Sequence, residues 1–181
     1  MVYMFLANGF EEVEALCPLD LLRRAGVEVK TVAVGAPDLR VTGSHGITVV
    51  ADMAESEFAD AAPEMVILPG GMPGSTNLDK SAAVDAALQA AVASDGYLAA
   101  ICAAPMVLGK RGLLSGKRAI CFPGFEEYLQ GATVAEEKVV CDGKCITAAG
   151  MGVAVEFGLA LVRVLKGDDV ADDLRRTVLA D

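Results

Sequence analysis

Apolar and polar positions fall along this chain in short, alternating blocks. Val2 to Ala7 is an unbroken apolar run and reads as a buried strand. Glu11 to Ala25 follows with helical spacing and an acidic first turn, and Gly26 marks its stop. Val27 to Val34 reads as a strand. Val41 to Val50 places Gly43 and Gly46 between β-branched residues, which predicts a small hairpin. Met65 to Leu68 is a short buried strand ending in Pro69, Gly70 and Gly71. Ser81 to Ser94 is Ala-rich and helical, Tyr97 to Ile101 is a further apolar strand, and Ala103 to Lys110 reads as a helix.

The pattern then becomes less regular. Arg118 to Cys121 reads as a strand and Phe125 to Gln130 as a short helix. Val139 to Cys141 and Lys144 to Thr147 flank Asp142-Gly143, a strong hairpin-turn signal. Two helices close the chain, an apolar one over Gly152 to Leu165 and a charged one over Asp168 to Leu179. The charges of the last belong to a solvated face. Strand–helix alternation of this kind predicts an α/β fold with an open, mostly parallel sheet. Ligands in such sheets sit at the carboxyl ends of the strands. The loops after Ala7, Leu68 and Ile101 are therefore the places where chemistry is expected.

Composition narrows the options. A length of 181 residues suits one domain over 1–181. The 54% hydrophobic content is too high for a disordered chain. Its longest apolar stretch, Tyr97 to Gly109, falls short of the roughly 20 residues of a membrane span and contains Pro105. No membrane partner is expected. The N-terminus lacks a basic segment and runs straight into Glu11, Glu12 and Glu14, unlike a signal peptide. A net charge of −10 argues against nucleic acid as a partner, because phosphate-backbone binding needs clustered Lys and Arg. Five cysteines without a disulfide spacing point to a reducing, cytoplasmic setting. One histidine excludes multi-histidine zinc sites, and no metal is expected. It also leaves His45 as the sole candidate for a Cys/His pair.

The three strand-end loops carry the candidate chemistry. Cys102 stands between an apolar strand and an expected helix, where a nucleophile elbow would project its side chain. The helix N-terminus is expected to draw the thiol toward thiolate. An inert buried cysteine is the competing reading, and local sequence weighs the two equally. Gly70-Gly71 in LPGGMPGS would let backbone approach a ligand and present N–H groups, as an oxyanion hole requires. An ordinary turn explains the same residues. Glu14 alone reads as macrodipole compensation. Aimed at Cys102 from an apolar surround, it would instead hold a proton and share it with the sulfur. Cys141 and Cys145 flank the predicted turn, where a hairpin could bring them near each other.

Taken in order, GFEEVEAL (Gly9 to Leu16), LPGG (Leu68 to Gly71) and AAICAAP (Ala99 to Pro105) resemble the ThiJ/PfpI superfamily. The nearest branch is that of the parkinsonism-associated protein deglycase. PLDLLRRAG (Pro18 to Gly26), GSHGI (Gly43 to Ile47) and EFGLALV (Glu156 to Val162) extend the likeness over nearly the whole chain. The resemblance implies a flavodoxin-like sheet with helices on both faces and a nucleophile elbow. It implies Cys102 as nucleophile, Glu14 as the protonated acid beside it, and Gly71 with the Cys102 amide as oxyanion donors. Gly70 and Ala103 flank these, and His45 falls near a basic pocket position. It further implies a homodimer, with Cys17 and Pro18 at the interface.

The implied activity is cofactor-free conversion of glyoxal or methylglyoxal to a hydroxy acid, or removal of their adducts from proteins or nucleotides. The alternative is a redox-sensing or chaperone-like protein that uses the same cysteine without turnover. Two departures bear on this. Phe122, in ICFPG, stands where some relatives place a histidine, and Ala103 follows the cysteine where the peptidase branch has one. Peptidase and amidotransferase chemistry are disfavoured accordingly. A flavodoxin-like nucleotide site is disfavoured too, because no GxGxxG follows the first strand and ANGFEE puts acids where a phosphate would sit.

Overall fold

Runs of Val, Ile, Leu and Ala with no polar interruption must be covered on both faces, and that requirement shapes the whole molecule. The computed structural model describes residues 1–59 and 62–180. In chain order its elements are β1 (Val2–Ala7), α1 (Glu12–Arg24), β2 (Val29–Val34), β3 (Arg40–Thr42), β4 (Thr48–Val50) and β5 (Met53–Ala54). Then come β6 (Met65–Leu68), α2 (Gly74–Asp79), α3 (Ala82–Ala93), β7 (Tyr97–Ile101) and α4 (Pro105–Lys110). The chain closes with β8 (Arg118–Ala119), β9 (Thr133–Val134), β10 (Val139–Asp142), β11 (Cys145–Ala148), α5 (Ala154–Lys166) and α6 (Asp168–Thr177).

The main sheet has the order β10-β11-β7-β6-β1-β2-β5. Its neighbours run parallel except β10 against β11. One face packs on α1, α5 and α6 through Leu22, Phe157, Leu161 and Leu174. The other packs on α2, α3 and α4 through Leu78, Leu88, Val107 and Leu108. This is the flavodoxin-like α/β arrangement. The chain leaves β1 in one direction for β2, while β6 lies on its other side, so a crevice opens at the carboxyl ends of β1 and β6. Among the described residues, no helix is long and apolar enough to cross a membrane.

Strands β1, β6 and β7 match the apolar runs that predict them, and β3 pairs β4 as the expected hairpin. Several expectations change. The expected helix from Ala103 begins only at Pro105. The expected Phe125 to Gln130 helix shrinks to a 3-10 turn over Glu126–Tyr128. The strand from Arg118 ends at Ala119 and pairs with β9 apart from the main sheet. Helix α2, of sequence GSTNLD, has turn-like composition and forms because Leu78 is wholly buried and the Gly74 N–H donates to Gly9 O. Cys141 pairs across the β10–β11 hairpin with Ile146, and Cys145 with Asp142. The two thiols therefore point to opposite faces, and Cys145 is buried while Cys141 is exposed.

Helix α1 runs unbroken through Pro18 and lies against α5. Gly158 on α5 makes this approach possible, since a Cβ there would stand 2.6 Å from Leu21 Cδ1 and 3.0 Å from Pro18 Cα. Gly158→Val should therefore overpack the α1–α5 seam and lower unfolding free energy by about 2 kcal/mol in urea titrations. An unchanged denaturation midpoint would mean that the seam can part without cost.

Candidate active site

The loops after β1, β6, β7 and β11 meet at one edge of the sheet. Cys102 follows β7 directly and has a φ of +65°, a left-handed conformation that non-glycine residues rarely hold. Neighbouring backbone holds it there. The Cys102 N–H donates to Ala148 O at 2.8 Å, and Cys102 O accepts from the Phe122 N–H at 2.8 Å. The side chain is thereby thrown forward from the strand end, half-buried, as the elbow reading requires.

Glu14 meets it from α1. Its side chain is 1% exposed, and its Oε2 receives no hydrogen bond. The Cys102 thiol and the N–H groups of Gly70 and Met151 stand around the carboxyl group. Gly70 fills the remaining space between the two side chains. A Cβ there would overlap Glu14 Oε2 and lie 2.6 Å from Cys102 Cβ. Gly71 is equally constrained, with a φ of +90° and the backbone of Gly9 and Phe10 against the position a Cβ would take. Gly70 is thus needed for the contact between Glu14 and Cys102, beyond its part in a turn.

Burial pushes the Glu14 acid up to about 7, with the Glu11 charge adding to it and the Cys102 hydrogen bond opposing it. The thiol does not follow the expectation of a helix-lowered value. Burial, then the Glu14 charge, then the Glu14 hydrogen bond push it up to about 12, while the Ala103 and Gly71 N–H groups pull it down. The helix contributes little because α4 is six residues long and starts three residues beyond the sulfur. Two of the three raising causes require an ionised Glu14. A proton on Glu14 removes both, and the protonated acid can then donate to the sulfur it faces. The two groups therefore titrate as a coupled pair, and where its last proton sits decides whether the sulfur is a nucleophile.

Other predicted site residues divide. The Cys102 amide cannot serve as an oxyanion donor, because Ala148 O already takes it. Gly71 and Ala103 present the N–H groups that face the sulfur. His45 is drawn away from the cysteine. Its Nδ1 lies 2.9 Å from Glu12 Oε2, and its N–H donates to Glu12 Oε1 at 2.7 Å. Glu12 is buried, which disfavours its charge, yet the His45 contacts prevail and hold its acid below the usual range. His45 thus clasps the β3–β4 hairpin to the first turn of α1. Among the described residues, Glu11, Glu12 and His45 form the one cluster compact enough for a cation, with ligand atoms within 4.8 Å of one another. Two of its oxygens are already engaged, Glu11 Oε2 by the Glu14 N–H and Glu12 Oε1 by the N–H groups of His45 and Ile47.

Sequence reasoning did not reach the loop after β11. There Met151 turns its N–H toward Glu14, and a Cβ on Gly150 would lie 3.9 Å from Glu14 Oε1. The signal was present, since the glycine-rich AAGMG follows an apolar strand as LPGG does. Phe122 does sit at the elbow, bonded to Cys102 O, so no imidazole occupies that place.

A model of the DJ-1/PfpI family matches residues 1–164. Protein DJ-1 homolog A of Arabidopsis thaliana is 38% identical over 178 residues, covering 96% of this chain and 45% of the relative. The chain thus spans less than half the length of that plant protein. A Caenorhabditis elegans protein named glutathione-independent glyoxalase DJR-1.2 is 30% identical over 91% of this chain and 87% of its own. The solved structure of oxidized Toxoplasma gondii DJ-1 superposes with a TM-score of 0.93 at 35% identity, covering 98% of this chain and 97% of that one.

A buried acid held at about 7 has a consequence for stability. The unfolded chain releases the Glu14 proton near 4.5, and the folded chain retains it to higher pH. The stability contributed by this acid is complete below about 4.5 and is lost as pH rises through about 7. Glu14→Gln should therefore stabilise the fold at pH 8 by about 2–3 kcal/mol, a gain that vanishes near pH 4. Denaturant titrations at the two pH values check this, and a pH-independent difference would contradict the buried acid.

Proposed function

The chain belongs to the DJ-1/PfpI family, and we propose on that premise that it converts glyoxal or methylglyoxal, free or as adducts, to the hydroxy acid without a cofactor. The observation that carries this reading is the buried Glu14 acid set against the Cys102 sulfur, closed by Gly70 and faced by the Gly71 and Ala103 N–H groups. The glyoxalase name of the nematode relative supports it.

For methylglyoxal the chemistry balances within the site. The Cys102 thiolate adds to the aldehyde carbon. The alkoxide that forms is steadied by the Gly71 and Ala103 N–H groups and takes the proton of Glu14, giving a hemithioacetal. The Glu14 carboxylate then removes the proton from the former aldehyde carbon and returns it to the neighbouring carbon through an enediol, while the hydroxyl proton passes from the first oxygen to the former ketone oxygen. The product is a lactoyl thioester on Cys102. Water hydrolyses it, releasing lactate and restoring the thiol. The sum is methylglyoxal plus water to lactic acid, with no external oxidant or reductant. An adduct on a protein or nucleotide would enter by the same addition.

Lactate release from methylglyoxal without glutathione tests the reading. Cys102→Ala and Glu14→Ala should each reduce kcat/KM at least about a hundredfold. Wild-type turnover no faster than Cys102→Ala would overturn it.

A second reading, peroxide sensing at Cys102, is favoured by the oxidized state named for the Toxoplasma relative. Here the sulfur takes one oxygen from each of two peroxide molecules, each of which leaves as water, and the N–H groups that would steady an alkoxide would hold the sulfinate oxygens instead.

The reading extends to a homodimer in the cytoplasm. Val13, Ile47, Val50 and Met151 are each at least 45% exposed. Val13 and Met151 flank Glu14 and Ile47 flanks Glu12, so much of this apolar surface lies around the first turn of α1. Size-exclusion light scattering should give twice the 18.7 kDa chain mass, and Val13→Glu with Ile47→Asp should halve it. A monomeric wild type would refute the dimer.

A further inference from the structure

Glu11 lies outside the chemistry assigned above, yet it touches both the glycine loop and the acid. Its backbone N–H donates to Gly70 O at 2.9 Å. That amide also borders the space beside Gly71 that a Cβ would occupy. Its side chain turns back as the N-cap of α1, and Oε2 accepts the Glu14 N–H at 2.7 Å. One residue thus ties the glycine loop, which carries an N–H toward the sulfur, to the helix turn that carries the acid.

The cap alone does not account for a glutamate. Ser, Thr, Asp and Asn cap helices best, and neutral ones suffice. Glu11 adds a negative charge within reach of a buried carboxyl group. That charge disfavours ionisation of Glu14 and is absent from the main influences on the Cys102 sulfur. The other titratable groups facing this corner are Cys102 from the end of β7 and Glu12 on α1. His45 joins them from the β3–β4 hairpin, with Nδ1 3.9 Å from Glu11 Oε1. His45 is closer to Glu12, at 2.9 Å, than to Glu11.

We propose that Glu11 is a positioning residue for the Cys102–Glu14 pair. Its backbone and side chain hold the acid against Gly70-Gly71, and its charge favours the proton on Glu14, the arrangement in which the sulfur can give up its own. The inference rests on the pairing assigned above but not on any aldehyde being the substrate.

Iodoacetamide alkylation of Cys102 between pH 5 and 9, read by peptide mass spectrometry without aldehyde, tests it. Glu11→Gln retains an acceptor for the Glu14 N–H and removes the charge. It should slow alkylation at pH 6.5 about threefold or more and move the rise of the profile to higher pH, with melting temperature unchanged. Glu11→Asp keeps both charge and cap and should retain the wild-type profile. A Glu11→Gln profile that superimposes on wild type would overturn the proposal. So would a Glu11→Asp variant that is folded and as slow as Glu11→Gln. A shifted profile in a protein without lactate release would uphold the role of Glu11 while removing the aldehyde reading.

Discussion

A carboxyl group buried against a sulfur is the constraint around which this edge of the protein is built. Neither charge alone is tolerable there. An ionised Glu14 lacks a donor at Oε2, and a thiolate opposite an ionised Glu14 would meet a like charge. A proton on Glu14 removes both costs. The surroundings must then be small and rigid. Gly70 lets the two groups meet, and the surrounding loops exclude water from the carboxyl group.

The sheet is what brings the partners together. Glu14 comes from the helix after β1, Gly70 and Gly71 from the loop after β6, Cys102 from the turn after β7 and Met151 from the loop after β11. These strands are parallel neighbours, so their carboxyl ends share one edge. Left-handed backbone at Cys102 costs about 1–3 kcal/mol. Hydrogen bonds from its N–H to Ala148 O and from the Phe122 N–H to its O hold the turn in place. The same bonds remove the Cys102 amide from the chemistry and pass the donor role to Ala103 and Gly71. The elbow and the oxyanion donors are thus parts of one backbone arrangement.

The histidine illustrates how a tertiary contact redirects a reactive group. A lone His in a chain with a candidate nucleophilic cysteine invites pairing between the two. Here Glu12, buried at the start of α1, takes the His45 ring and backbone, and Gly43 leaves room for the glutamate side chain. The result is a clasp between hairpin and helix.

Patterning alone determined the α/β class, the continuous buried strands β1, β6 and β7, and the loops where chemistry belongs. Strand ends, glycine pairs and a cysteine before a turn are local features that a sequence displays directly. Short or composition-poor elements such as β5, β9 and α2 were not legible, because long-range pairing and burial stabilise them rather than propensity. The identity of the acid partner could only be conditional, since three glutamates crowd the N-terminal end of α1. Tertiary structure decided among them by direction and burial: Glu11 caps, Glu12 takes His45, and Glu14 faces Cys102. It also reversed the expected effect on the thiol, because desolvation and a neighbouring carboxylate outweigh a distant, six-residue helix. Protonation is set by what surrounds a group in space, and that is the one property a linear pattern does not contain.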